Sequence, residues 1–123
     1  MRYPSLLLTL LLTAALASCA APKPAPDAFA AAEKAIDAAV RAGAEEHSPV
    51  ELKFAREKLA EANKGIEAKQ YDKSTVLIEE SEINSELAIE KTRTAITRTK
   101  VAELTRDNEI LREDFKATFG EDL

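Results

Sequence analysis

Few side chains in this chain of 123 residues are suited to catalysis or to covalent chemistry: Cys19 carries the only thiol and His47 the only imidazole. Neither has a partner at a useful spacing. A di-metal site within a helix bundle takes a glutamate three residues before its histidine, and Ala44 occupies that place before His47. No glycine-rich phosphate loop occurs. Carboxylates are plentiful, but on polar helix faces their ordinary role is solvation. The sequence therefore predicts no enzyme, with no catalytic, cofactor-binding or metal-binding residue and no small-molecule substrate. His47 reads as a surface residue in a polar turn. The chemistry open to Cys19 is modification of its own sulfur.

The surroundings of Cys19 say which modification. Arg2 supplies a positive start, Leu6, Leu7, Leu8, Leu10, Leu11 and Leu12 an apolar stretch, and Ala14, Ala15, Ala17 and Ser18 the small residues of a cleavage site. A spanning helix needs roughly 20 apolar residues, whereas the run from Ser5 to Ala17 is shorter and carries Thr9 and Thr13. A buried structural thiol is the alternative for Cys19, but an unpaired cysteine in an exported chain is a liability. Leu16, Ala17, Ser18 and Cys19 resemble the lipobox of bacterial lipoproteins. That resemblance implies a cleaved signal peptide over residues 1–18, a diacylglycerol on the Cys19 sulfur and acylation of the new amino terminus. One acyl chain holds a protein to a bilayer only marginally, while two or three hold it firmly. In Gram-negative lipoproteins an aspartate after the cysteine favours the inner membrane. Ala20 stands there, so the resemblance implies an outer-membrane anchor facing the periplasm if the source is Gram-negative.

Residues 19–26 form the next unit, with Pro22, Pro24 and Pro26 fixing an extended course from the lipid to the folded part. At roughly 3.1 Å per residue a polyproline spacer reaches about 20 Å, and a merely disordered terminus is the alternative. The chain has 17 basic and 22 acidic residues, a net charge of −5. An acidic chain without a basic stripe is a poor partner for nucleic acid and lacks a polybasic membrane-surface helix.

From Asp27 onward the composition is helical, rich in alanine, glutamate, lysine and leucine, and no strand pattern competes. Asp27 is placed to cap a first helix whose Phe29, Ala32, Ile36, Ala39 and Val40 recur at helical spacing, with Gly43 as its stop. Ser48, Pro49 and Glu51 have the form of a capping box: serine at the N-cap, proline at the first helical position and glutamate three residues on. Leu52, Ala55, Leu59, Ala62 and Ile66 continue that second helix as a narrow seam to about Lys69. A turn at Gln70 and Tyr71 leads to a third helix capped by Asp72, with Val76, Ile83 and Leu87 as its seam and Ile78, Ile89 and Ile96 on a second stripe. So short a connection makes the helices antiparallel. The fold class is all-α, a helical hairpin or three-helix bundle over residues 27–94.

Ala42, Gly43 and Ala44, then Ser48, Pro49, Glu51 and Leu52, then Ala55 through Leu59, Ala62 and Tyr71 resemble the domain of unknown function 4398 family of small helical envelope lipoproteins. The likeness spans roughly residues 29–100. Some members carry an added peptidoglycan-binding domain; these 123 residues are not expected to contain one, so peptidoglycan binding is not carried over, and the family has no activity to transfer.

The third helix meets no breaker before Gly120, so residues 95–123 should overhang the bundle as a helical tail. Val101, Leu104, Asn108, Leu111 and Phe115 fall at heptad a and d spacing, with asparagine at an a position, where it sets register and oligomer state in a coiled coil. Two heptads leave two readings open, a short coiled coil or a solvated helix. Thr92, Thr94, Thr97 and Thr99 mark the expected place for a bend. Glu79, Glu80, Glu82, Glu86 and Glu90 lie opposite Lys53, Arg56 and Lys58, whereas Lys91, Arg93, Arg98 and Lys100 have no evident intrachain partner. Two functions are in view. One is a structural or adaptor lipoprotein presenting a helical arm for self-association or an envelope partner. The other is a tetratricopeptide-like hairpin that binds a peptide or protein, although such repeats ordinarily need about three units.

Overall fold

Pro26 opens the first helix at a position where its missing N–H costs nothing, and Gly43 closes it by adopting φ +92°, a left-handed conformation that side chains with a Cβ avoid. In the computed structural model, which describes residues 22–120, this helix is α1 (Pro26–Arg41). A single turn, α2 (Ala44–His47), follows, then α3 (Pro49–Glu67) and α4 (Tyr71–Phe119). The lipobox residues Leu16, Ala17, Ser18 and Cys19 lie outside the described residues. Among those described, no helix is long and apolar enough to cross a membrane.

Both aspartates read as caps sit inside their helices instead. Ala25, in an extended conformation, occupies the N-cap of α1 and Gln70 that of α4, which leaves Asp27 and Asp72 in the first turns. There their charge still favours the positive end of the helix dipole. The spacer accordingly ends at Ala25, and Pro26 belongs to the bundle.

α3 and α4 form an antiparallel hairpin and α1 lies along it. At one end Ala28, Phe29 and Ala32 pack with Leu59, Ala62, Leu77 and Ile78. At the other Ala39, Val40 and Ala44 pack with Leu52, Ala88 and Ile89. Chain entry at Pro26 is thus beside the Tyr71 turn, and α4 leaves the bundle from the opposite end.

The seam expected of α4 is the wrong face. Val76, Ile83 and Leu87 are 52%, 62% and 44% exposed, while Ser74, Ile78, Ser81, Ser85, Ala88 and Thr92 are buried. These six recur every three or four residues, and all but Ile78 are small. Small side chains let the two backbones come close enough for Ser81 Oγ to donate to the Ala55 carbonyl of α3 at 2.8 Å. Ser85 and Ser74 satisfy their hydroxyls on the carbonyls four residues back, at 2.9 and 3.0 Å. Each buried hydroxyl is therefore hydrogen-bonded, as burial requires. Near the turn, a Cβ on Gly65 would collide with Ser74 Oγ as that hydroxyl is placed.

The helical backbone runs unbroken through Thr92 to Thr99. Thr99 and Thr105 donate their hydroxyls to the carbonyls of Ala95 and Val101, at 3.2 and 2.8 Å. α4 is 49 residues long, about 74 Å at 1.5 Å per residue.

α3 ends in a Schellman motif: Gln70 N–H donates to Gly65 O at 2.8 Å and Lys69 N–H to Ile66 O at 3.0 Å. Lys69 takes φ +57° there, a conformation that costs a non-glycine residue roughly 1–2 kcal/mol. Lys69→Gly is expected to raise the unfolding free energy by about 1 kcal/mol, read as a higher urea midpoint. A lower midpoint would show that the turn is not strained.

Candidate interaction surface

Where α4 leaves the bundle, three residues of α4 are tied to the start of α3. Ser48 is only 2% exposed. It stands at the N-cap of α3 with Pro49 in the first turn, but its hydroxyl makes no capping bond. Ser48 Oγ lies 2.7 Å from the Ala88 carbonyl, to which it donates, and 2.6 Å from Thr92 Oγ1. Glu51, read as the other half of a capping box, pairs with Lys91 of α4. The capping box is thus replaced by a latch between helices, because Ala88 and Thr92 offer Ser48 partners that a solvent-facing helix start would lack.

Further ion pairs run along the hairpin. Lys58 and Glu80 meet at 2.6 Å, as do Lys73 and Glu61. Arg56 and Lys53, expected opposite the acidic block, pair locally with Glu45 at 3.0 Å and Glu57 at 3.6 Å. Of the basic block, Lys91 meets Glu51, and Arg93 meets Glu90 at 2.6 Å, so those two do have intrachain partners. The Lys91 hydrogen bond holds the Glu51 carboxyl below its ordinary range, as Lys73 does for Glu61. The Glu80 carboxylate raises Lys58 in turn.

Beyond Ala95 every described residue of α4 is exposed. The arm from Ile96 to Phe119 reaches about 36 Å past the bundle at 1.5 Å per residue. Val101, Leu104, Leu111 and Phe115 are each between 48% and 67% exposed and share one face with Asn108. Val101, Leu104 and Asn108 border a shallow concavity with Thr105, Glu109 and Arg112. At the tip the Phe115 and Phe119 rings stack with centroids 4.8 Å apart.

Carried back through α4, the same heptad register makes Leu87 an a position and Ile83 and Val76 d positions. The exposed residues of the bundle and of the arm therefore lie on one stripe. The buried seam of Ser74, Ile78, Ser81, Ser85, Ala88 and Thr92 occupies b and f, roughly 150° around the helix. Phe54, 47% exposed on α3, sits between Glu51 and Lys58 on the flank facing α4, at the level of Leu87. This surface is elongated, with exposed apolar side chains along its length. Among the described residues no group of three or more His, Cys, Asp or Glu is placed to hold a metal ion, and His47 is exposed.

The family described as domain of unknown function (DUF4398) matches residues 27–104, well over half of the chain. The chain belongs to the DUF4398 family. The match takes in α1, α2, α3 and α4 as far as Leu104, so the part of the arm carrying Asn108, Leu111 and Phe115 lies beyond it. No curated protein and no solved structure matches.

The latch between Ser48 and Thr92 was not foreseen from the sequence of this DUF4398 domain. Its signal is present, since Ser74, Ser81, Ser85, Ala88 and Thr92 repeat at helix-face spacing, but the apolar periodicity of Val76, Ile83 and Leu87 is the more conspicuous pattern.

Ser48→Ala is expected to cost roughly 1–2 kcal/mol in denaturant unfolding, the cost of a lost buried hydrogen bond. Ser48→Asp, a good cap on an exposed helix, should cost more by turning a carboxylate toward the Ala88 carbonyl. Equal stability of Ser48→Asp and the parent would reinstate the capping box. A second expectation concerns pH. Because the folded-state pKa of Glu51 is lowered, its pairing stabilises the protein above the ordinary carboxylate range and fades as pH falls through it. The stability gap between the parent and Lys91→Ala should therefore shrink on acidification. A gap that widens in acid would contradict the pairing.

Proposed function

We propose that this DUF4398 protein is a membrane-anchored envelope lipoprotein of structural or adaptor type, without enzymatic activity, that presents the α4 arm to a protein partner. In this reading lipid on Cys19 holds the chain to the outer membrane of a Gram-negative cell, and residues 19–25 lift the bundle into the periplasm. The observation that carries the proposal is polarity along the molecule. Chain entry at Pro26 lies at one end of the bundle, and an arm with an exposed apolar stripe leaves from the other. An apolar stripe left in water has no stabilising role within the monomer, whereas a partner helix would cover it.

The competing reading, a tetratricopeptide-like hairpin that binds a peptide in its own groove, finds less support. α1 already occupies the hairpin face through Ala32 and Ala39.

Two measurements test the proposal separately. Cys19→Ser should lose the lipid and leave the membrane fraction; a variant that stays membrane-bound at normal mature mass removes the lipoprotein claim. A chain ending after Thr99 keeps the Thr92 latch and loses most of the arm. In-cell crosslinked adducts seen with the full chain should then disappear. Adducts that survive this truncation would favour the hairpin groove.

A further inference from the structure

The exposed heptad stripe has an occupant that its own residues specify. We infer that the partner of the arm is a second copy of this chain, paired parallel and in register through the a and d positions of α4 from Ile83 to Phe115. This deepens the arm reading above and rests on it.

Three observations point to a like partner. The first is Asn108, an exposed polar residue at an a position between Leu104 and Leu111. In a parallel, in-register pair Asn108 meets Asn108 of the other copy, and the two amides hydrogen-bond across the interface. In an antiparallel pair a positions face d positions, so Asn108 would be buried against a leucine and left unsatisfied.

The second observation is charge on the flanks of the stripe. In a parallel pair each g residue faces the e residue five positions further along the other helix. Asp107 then faces Arg112, a contact that occurs twice by symmetry; Glu86 faces Lys91, which already pairs with Glu51 of its own chain. An antiparallel pair centred on the same stripe instead brings e against e and g against g, which sets Arg98 against Arg112 and Asp107 against Asp107, offset in part by Lys100 against Asp114. Two parallel contacts are unfavourable, Arg93 against Arg98 and, at a d position, Glu90 against Glu90. Both fall where the stripe is polar, beside Thr94 and Thr97, and Arg93 pairs with Glu90 at 2.6 Å within each chain.

The third observation is the fold. α1 and α3 pack on the side of α4 marked by Ile78, Ser81, Ala88 and Ile89, which leaves the a and d side of both copies open. A parallel pair also sets both Pro26 ends on the same side, as two chains anchored in one membrane require. Leu87 and Ile83 continue the register of the arm back into the bundle, with Glu90, Thr94 and Thr97 as polar a and d positions between the two apolar stretches.

The test uses the full chain in its membrane, with single cysteines introduced along the arm and mild oxidation. Val101→Cys, Leu104→Cys, Asn108→Cys and Leu111→Cys should each give a disulfide-linked homodimer, while Glu103→Cys and Ile110→Cys, on the outer face, should not. The parent chain, with Cys19 alone, measures any background. Asp107→Arg should reduce the dimer at Leu104→Cys by roughly tenfold, and adding Arg112→Asp should restore it. Crosslinking confined to one a or d position would overturn the parallel register. Equal yields at Glu103 and Leu104 would overturn the stripe as the interface. Absence of homodimer at all four positions, with other adducts still lost on truncation after Thr99, would overturn self-pairing and leave the adaptor reading standing.

Discussion

The Ser48 hydroxyl, held between the Ala88 carbonyl and the Thr92 hydroxyl, belongs to a larger constraint: α3 and α4 approach closely along a seam in which small side chains outnumber the leucines and Ile78. Ser81 reaches the backbone of α3 at Ala55, and Gly65 has no room for a Cβ beside Ser74. Dispersion falls off steeply with separation, so a seam of alanine, serine and glycine gains in closeness some of what it lacks in side-chain volume. The hydroxyls are tolerated because each finds an acceptor within reach.

That choice of face determines the rest of the molecule. A helix of 49 residues has one side to give the hairpin, and giving it the small-residue side turns Val76, Ile83 and Leu87 outward. Their stripe then runs without change of register into Val101, Leu104, Asn108, Leu111 and Phe115. On the proposed reading, a partner helix would lie along this face, which is open on both the bundle and the arm. Ion pairs such as Lys58 with Glu80 and Lys73 with Glu61 fix the stagger of the hairpin more than its stability, since they are largely exposed.

Much of the architecture was legible in residue order. Pro49 and Gly43 marked helix boundaries, the Leu52, Ala55, Leu59 and Ala62 seam lies buried as its spacing indicated, and the long third helix overhangs from the end opposite chain entry. Ile78 and Ile89 meet α1, as a second stripe implied. Other local signals were outweighed by tertiary partners. Ser48 and Glu51 have the composition of a capping box, yet each finds a better partner on α4. Asp27 and Asp72 were displaced from their caps by helices that begin two residues earlier than caps at those positions would set. Lys69 in a left-handed turn carried no sequence signal at all, because lysine is not a residue that turn would select.

The sequence by itself determined that the chain is helical, where its helices turn, that it is a DUF4398 domain, and that Asn108 sits within a heptad stripe. Those properties follow from local propensity and periodicity, which each segment carries alone. Tertiary structure decided which face of α4 is buried. Two stripes on one helix satisfy the same periodicity, and the selection between them depends on how closely α3 can approach, a distance set by Gly65, Ala55 and Ser48 on the other strand of the hairpin.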